Sequence, residues 1–467
     1  MNLILICSDT FRWDYLGCYG NEWIQTPNLD ALAAESALYE QAFGEGLPTL
    51  PARRVMVTGR RIIPFEHHPQ HTDKVTLPGW HPLYFEDITL AEWLLDRGYA
   101  TCMITDVYHM MKPGKNFHRG MEYWYWIRGV EDDRYNWRDL ERVKRVWPTV
   151  TSWKGGPNDP RHWLVQHING RLRWRDETDS FAARVMTRAA DWITGFRGEY
   201  PFFMWIDCFD PHEPWDPPLE YGRKYDPDFD PYKSAFPPAS TEGLSEEELR
   251  TIRAGYAGEC TLIDRWVGHL LDTLAREELL DETLIVFTSD HGCMMGEQGE
   301  IHKAADRLRN QVTQVPLIVR HPGGEAAGAR VGGFVQHQDI MPTALSIMGE
   351  EIPDRCNGED IWPLAVEGRD SQREQIISAF GFHASVRNRR WNYVAPWTEV
   401  PEGRAARREL YDLQEDPEEL VNVIDEHPEV AEEMQDWLER YVAEHREETA
   451  GDLGPGQTGP PHDQAYI

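Results

Sequence analysis

Positive charge is scarce in this chain. Lys and Arg total 47 against 79 Asp and Glu, a net charge of −32 over 467 residues. So acidic a surface offers no basic footprint for nucleic acid or an anionic membrane, and an anionic substrate must be held by a local pocket. Cysteine is sparse too: seven, an odd number at wide spacing, which excludes a disulfide framework. Cys7, Cys102 and Cys208 fall in apolar strand-like runs and read as small core residues, and Cys293 reads as structural. No apolar run approaches the length of a membrane span. Met1 to Cys7 is too short for a signal peptide and lacks a basic n-region. There are no internal repeats. The expectation is a soluble cytoplasmic protein with neither nucleic-acid nor membrane partners.

What is present suits an enzyme with a sizeable core: 41% hydrophobic and 11% aromatic residues, in a chain long enough for one large domain and a smaller one. Apolar runs at 100–104, 202–206, 284–287 and 316–319 alternate with helical patterns at 28–38, 89–97, 180–195 and 245–277. That alternation predicts an α/β fold with a mostly parallel sheet. A further helix is expected over 339–348, with Gly349 as its stop. Beyond it the character changes. Residues 375–380, 384–387 and 391–394 read as a short antiparallel sheet. Val430, Met434, Trp437, Leu438 and Tyr441 recur at helical spacing. The expected division is a catalytic domain over 1–368, a C-terminal subdomain over 369–448, and a tail over 449–467 that is disordered or an oligomer arm. A Trp-rich stretch over 110–175, with Trp124, Trp126, Trp137, Trp147, Trp153, Trp163 and Trp174, reads as an insertion that shapes a pocket or packs over the sheet.

The chemistry centres on Thr49-Leu50-Pro51-Ala52-Arg53. Thr49 is placed as an N-cap, with Pro51 in the first helical turn. The free N–H groups of that turn and the helix dipole favour an anion, and Arg53, one turn on, reaches back to the same spot. Two buried-strand patterns end in candidate ligands: Leu3 to Ile6 leads to Asp9, and Leu284 to Phe287 leads to Asp290 and His291. Sites in open α/β sheets lie beyond the carboxyl ends of such strands, and carboxylates with an imidazole form a divalent-metal set.

In their order along nearly the whole chain, these motifs resemble the sulfatase family of the alkaline phosphatase superfamily. The resemblance rests on Asp9, Leu16 to Asn21, Thr26 to Asp30, Thr49 to Gly59, Asp210-Pro211-His212-Glu213-Pro214-Trp215, Ser289 to Gly292, Lys303, Val315 to Arg320, Glu409 to Leu413 and Asp416 to Glu419. It implies an alkaline-phosphatase-like α/β sandwich, with a central mostly parallel sheet flanked by helices and a small C-terminal α+β subdomain. Asp9-Thr10-Phe11-Arg12 and the Asp-His pair look nearest to the phosphonate monoester hydrolase branch, whose members are oligomers; a homo-oligomer is expected.

Three departures from the family matter. Sulfatases carry a Cys, or a Ser, where this chain has Thr49; that residue becomes formylglycine, whose second hydroxyl expels sulfate. A threonine has one hydroxyl, so its ester must be cleaved by water, the route of Thr- and Ser-dependent phosphatases and phosphodiesterases. Second, Thr10 stands where sulfatases have another aspartate. Third, the Lys of a Gly-Lys-Trp-His run is missing from Ile104-Thr105-Asp106-Val107-Tyr108-His109. Asp106 in its place would repel a dianion, favouring a monoanionic diester, a cationic substrate or an extra metal contact.

The resulting expectation is a hydrolase of phosphate or phosphonate esters working through a phospho-Thr49 intermediate. One divalent ion, Mn²⁺ or Zn²⁺ in preference, with Ca²⁺ as the alternative, is held by Asp9, Asp290, His291 and Thr49. Arg53, His212 and Lys303 hold the nonbridging oxygens, Thr10 lies against the substrate, and Tyr108 or His109 assists the leaving group. His302 and His337 are candidates for a second metal, whereas Lys303 suggests a one-metal plan. The alternatives are a strict sulfatase, if Thr49 stands in for a formylglycine-forming Cys, and a catalytically silent anion-binding relative.

Overall fold

The computed structural model describes residues 1–68, 75–131, 133, 135, 139–151, 156–158, 162–196 and 200–454. Eight strands form the main sheet: β1 (Asn2–Ser8), β2 (Ala37–Phe43), β3 (Ala100–Thr105), β4 (Tyr123–Trp126), β5 (Phe202–Cys208), β6 (Thr283–Thr288), β7 (Leu317–Arg320) and β8 (Arg330–Gln336). They lie in the order β8-β2-β7-β6-β1-β5-β3-β4. All run parallel except β7, which is antiparallel to both neighbours. The sheet is buried on both faces, which explains the unbroken apolar runs of its central strands. Ile4 and Ile6 face the side covered by α1 (Pro27–Ala34), α4 (Phe181–Gly195) and α5 (Glu246–Arg276). Leu3, Leu5 and Cys7 face α2 (Thr49–Thr58), α3 (Leu90–Leu95) and α6 (Ile340–Met348) on the other side.

Local chemistry sets the helix starts. Thr89 with Glu92 and Ser245 with Glu248 form capping boxes at α3 and α5, and Ser180 caps α4. Gly349, at φ 74°, closes α6.

A second sheet of β9 (Gln375–Phe380), β10 (His383–Asn388), β11 (Trp391–Pro396) and β12 (Glu409–Asp412) is antiparallel. The two-residue strand Gly46–Leu47, in the linker from β2 to α2, pairs with β9 and ties the two sheets together. Helix α7 (Pro428–Thr449) covers the second sheet through Ala431, Met434, Leu438 and Val442.

The structure corrects some expected boundaries. The helix expected over 28–38 stops at Ala34, where the Ser36 hydroxyl bonds back to the Leu32 carbonyl, and Ala37 already starts β2. The Trp-rich stretch contributes β4 to the sheet edge; Trp137 and Trp153 lie outside the described residues. At the tail, Asp452 accepts a hydrogen bond from the Phe85 amide at 2.7 Å; residues 455–467 lie outside the described residues. Among the described residues no helix is long and apolar enough to cross a membrane.

Candidate active site

Four neighbouring parallel strands, β6, β1, β5 and β3, end at one edge of the sheet, and each delivers an aspartate there: Asp290, Asp9, Asp207 and Asp106. The register places Cys7 beside both Asp207 and Thr288, and Asp207 beside Thr105. Asp207 was not anticipated, although Phe202 to Ile206 carries the same signal as the strands ending in Asp9 and Asp290: an apolar run closed by a carboxylate.

Arg53 joins three of these carboxylates. Its guanidinium is fully buried. It binds Asp207 through Nε and Nη2 at 2.9 and 2.7 Å, Asp290 through Nη1 at 2.5 Å, and Asp9 through Nη2 at 3.1 Å. The bidentate fork to Asp207 fixes the plane of the guanidinium. Burial opposes its charge, but Asp207 and Asp290 outweigh that, so Arg53 stays a cation; burial pushes Asp207 up to about 6. Arg53 Nη1 also donates to the Thr49 carbonyl at 3.2 Å. One nitrogen therefore bridges Thr49 and Asp290. The fork is turned onto protein carboxylates, so any contact of Arg53 with substrate oxygens is made from a guanidinium already engaged.

Thr49 is buried, and α2 starts at it, one residue earlier than expected. Pro48 occupies the N-cap, Thr49 is the first helical residue, and no side chain caps the helix. The Thr49 hydroxyl is thus not spent on a cap.

Asp9, Asp290 and His291 form the one metal-competent cluster among the described residues, with ligand atoms within 4.8 Å of one another. The imidazole makes the case for an ion. His291 Nδ1 faces the Gly292 carbonyl at 2.9 Å and must donate to it, leaving Nε2 with a lone pair. Nε2 is buried without a partner, 3.5 Å from Asp290 Oδ2 and 4.0 Å from Asp9 Oδ1. Burial holds His291 at about 3, so it is neutral. A lone pair facing two carboxylates in a dry site is repulsive unless a cation lies between them, and the donor set suits a divalent metal.

Thr10 serves this cluster. Its hydroxyl donates to Asp9 Oδ1 at 2.7 Å and its amide to Asp290 Oδ1 at 2.9 Å. It does so at φ 64°, a left-handed conformation costly for a β-branched residue.

Lys303 and His212 meet directly: Nζ donates to Nε2 at 2.8 Å. His212 Nδ1 donates to the Glu213 carbonyl at 2.7 Å, which fixes its tautomer, and burial holds the ring at about 4. The phenyl ring of Phe209 stacks on His212, centroids 4.1 Å apart. Tyr108 and His109 lie in a single buried turn after β3. His109 Nε2 is 3.0 Å from Glu131 Oε2, and its ring lies 6.3 Å from Phe209, so the turn borders the His212 loop.

Asp106 is placed differently from the expected anion-repelling role. Oδ1 accepts the Phe209 amide at 2.7 Å, and burial, then Asp210, pushes the carboxyl well up from its usual range. That contact orders the loop carrying His212. His302 and His337 do not converge. His302 Nε2 donates to the Pro237 carbonyl at 2.8 Å, and His337 Nε2 to the Ser289 carbonyl at 2.9 Å.

A buried threonine at a helix start, a dry carboxylate–imidazole cluster and a Lys–His pair lie together at the carboxyl edge of the sheet, and the comparisons with known proteins place the chain among the ester hydrolases of the sulfatase and alkaline phosphatase superfamily. The chain belongs to the sulfatase family: the Sulfatase family model matches residues 1–350, and that of the N-sulphoglucosamine sulphohydrolase C-terminal region matches 299–448. It is 28% identical over 485 residues to "Uncharacterized sulfatase YidJ" of Escherichia coli strain K12, covering 96% of this chain and 88% of that one. It is 25% identical over 490 residues to an arylsulfatase of Clostridium perfringens, covering 96% and 94%. The crystal structure of the phosphonate monoester hydrolase of Agrobacterium radiobacter superposes with a TM-score of 0.73 at 22% identity, covering 95% and 96% of the two chains. The family generally binds a divalent metal, in keeping with the Asp9–Asp290–His291 cluster.

Proposed function

We propose that this protein hydrolyses phosphate or phosphonate esters, phosphodiesters or phosphonate monoesters, with Thr49 as the nucleophile. The carrying observation is Thr49 itself: a residue with one hydroxyl, uncommitted to capping, at a helix start tied through Arg53 to Asp290. A second hydroxyl on the same carbon, which would eject sulfate by elimination, is chemically impossible for threonine. Attack by its hydroxyl gives an ester that water must open at the central atom, and phosphorus accepts that second attack.

Asp9, Asp290 and His291, with the Thr49 hydroxyl, would hold the metal, which supplies Lewis-acid activation of that hydroxyl and of the ester. The chain's own residues do the rest. The free N–H groups of the first turn of α2 face the developing negative charge. Lys303 binds a nonbridging oxygen through an ammonium whose protonated state is favoured by Glu213 and Asp9 over the opposing effect of burial, and His212, expected to bind an ester oxygen itself, instead accepts from Nζ through its bare Nε2 and positions that ammonium. Arg53 keeps the nucleophile's turn and the carboxylates in register. His109 or Tyr108 supplies the leaving-group proton. The reading extends to a homo-oligomer acting on small anionic esters in the cytoplasm.

Turnover of an aryl phosphodiester, an aryl phosphonate monoester, an aryl phosphomonoester and an aryl sulfate, each with added Mn²⁺, Zn²⁺ or Ca²⁺, tests the reading. Fastest turnover of the diester or phosphonate is expected. The relatives named as sulfatases favour a second reading, and exclusive sulfate turnover would establish it. Tight anion binding with no turnover under any metal would indicate a silent relative.

A further inference from the structure

Glu213 touches no substrate atom in the chemistry above, yet its carboxylate is buried against the groups that receive the substrate. The segment Asp210-Pro211-His212-Glu213-Pro214-Trp215 carries His212 and Glu213 on adjacent positions. The Glu213 carboxylate lies 3.4 and 3.5 Å from Lys303 Nζ, 3.5 Å from His212 Nδ1 and 3.6 Å from His302 Nδ1. Burial would raise it, but the positive charge of Lys303 beside it helps to hold it well below the usual carboxylate range. It is therefore an anion. A lysine that receives an ester oxygen is here already paired with a fixed negative charge.

The rest of the site makes that pairing consequential. Asp9, Asp207 and Asp290 crowd around Arg53, and Glu131 stands beside His109. His212 and His291 each give their Nδ1 proton to a backbone carbonyl and present a bare Nε2, so neither adds positive charge. Among the described residues, the permanent cations paired directly with these carboxylates and Glu213 are Arg53 and Lys303, and a divalent ion brings the cluster near balance rather than to positive excess. A site near balance accepts one negative charge far more readily than two.

We propose that Glu213 is a specificity-determining residue that cancels the Lys303 charge and thereby selects singly charged esters against dianionic phosphomonoesters. The inference rests on this cleft being the ester site proposed above. It does not rest on the choice between phosphorus and sulfur, because phosphodiesters, phosphonate monoesters and sulfate monoesters are all monoanions.

The test uses the full chain at pH 8, supplied with the metal that gives most activity, or with Mn²⁺ if none does. It compares wild type with Glu213→Gln. Two ratios are read: kcat/KM for an aryl phosphomonoester over that for the best monoanionic ester, and the calorimetric affinity for phenyl phosphate over that for diphenyl phosphate. Both ratios are expected to rise about tenfold, mostly through KM, on removing one close charge. Glu213→Asp, which withdraws the charge by one methylene, is expected to move them the same way by a smaller factor, and it carries the test if the Gln variant does not fold. Ratios within twofold of wild type in the folded variants would overturn the proposal, since loss of packing alone lowers both members of each ratio together. If no ester is turned over, the affinity ratio alone decides the role of Glu213, while the hydrolase reading fails separately.

Discussion

At the scale of single residues, Thr49 and Asp207 carry the most decisive expectations. Thr49→Ala removes the only proposed nucleophile and leaves the buried start of α2 otherwise intact. It is expected to cut kcat by at least about 10³-fold while leaving the thermal midpoint nearly unchanged. Thr49→Ser keeps the hydroxyl and should retain measurable turnover with a phosphoester burst. An alanine variant with near-normal turnover would remove Thr49 from the mechanism. Asp207 never touches the substrate in this scheme; it aims Arg53 through two hydrogen bonds. Asp207→Asn keeps the volume but breaks the ionic fork, and is expected to cost about 10–100-fold in activity, as outer-shell partners commonly do. The same assay reads it, with metal affinity by calorimetry to separate a lost ion from a misplaced nucleophile. Much of this site was legible from residue type at a strand end, because an apolar run closed by Asp is a strong pattern. Asp207 escaped because the Asp210-Pro211-His212 motif three residues on drew the attention instead. Distant hydrogen-bond partners were not legible at all: that Thr10 braces Asp290, and that Asp106 anchors the loop carrying His212, depends on contacts 280 and 103 residues apart in sequence.

Among the elements, the central strands and the capped helices were readable because local chemistry alone determines them. Strand β2 was not, since its Ala-Leu-Tyr-Glu-Gln-Ala-Phe sequence continues the helical pattern of α1 and only pairing with β7 and β8 makes it a strand. Nor was the linker after β2, where Gly46 and Leu47 join the second sheet. Gly46 has no room for a side chain, because an added Cβ would sit 2.6 Å from Ile62 Cδ1. Beside it, Glu45 is fully buried. Its carboxylate accepts the amides of Ile62 and Ile63, and its carbonyl accepts the Ala379 amide at 2.7 Å. Burial raises its pKa to about 7, with Arg61 opposing. A carboxyl raised on folding stabilises most below its unfolded pKa, and that contribution is lost as pH rises through about 7. Glu45→Gln, neutral at every pH, should therefore gain stability relative to wild type between pH 5 and pH 8, by up to about 3 kcal/mol. Denaturant unfolding at the two pH values measures the difference, and a gap that does not change with pH would contradict the burial of a titrating Glu45.

For the molecule as a whole, the acidity that opened the sequence has an energetic consequence. Many of its few cations are committed to internal or part-buried pairs: Arg53 with three aspartates, Arg54 and Arg60 with Asp87, Arg12 with Asp14 and Glu297, and Arg309 with Glu300 and Glu409. The uncompensated acids remain on the surface. On α7 alone Glu432, Glu433, Asp436, Glu439, Glu444 and Glu447 are exposed, opposite the face that buries Met434 and Leu438. Like charges at this density repel, and folding brings them closer than in the unfolded chain. Salt shortens their reach from about 10 Å at 0.1 M to about 3 Å at 1 M, whereas buried pairs are screened much less. The thermal midpoint should therefore rise with NaCl over that range, by about 1 °C for each kcal/mol of relieved repulsion in a chain of this length. Replacing Glu432, Glu439 and Glu444 with Gln should flatten the slope by weakening the repulsion that salt relieves. A midpoint that falls with salt would mean that the exposed ion pairs, not the excess of acid, dominate the surface energetics; a rise undiminished by the triple substitution would place the repulsion away from α7.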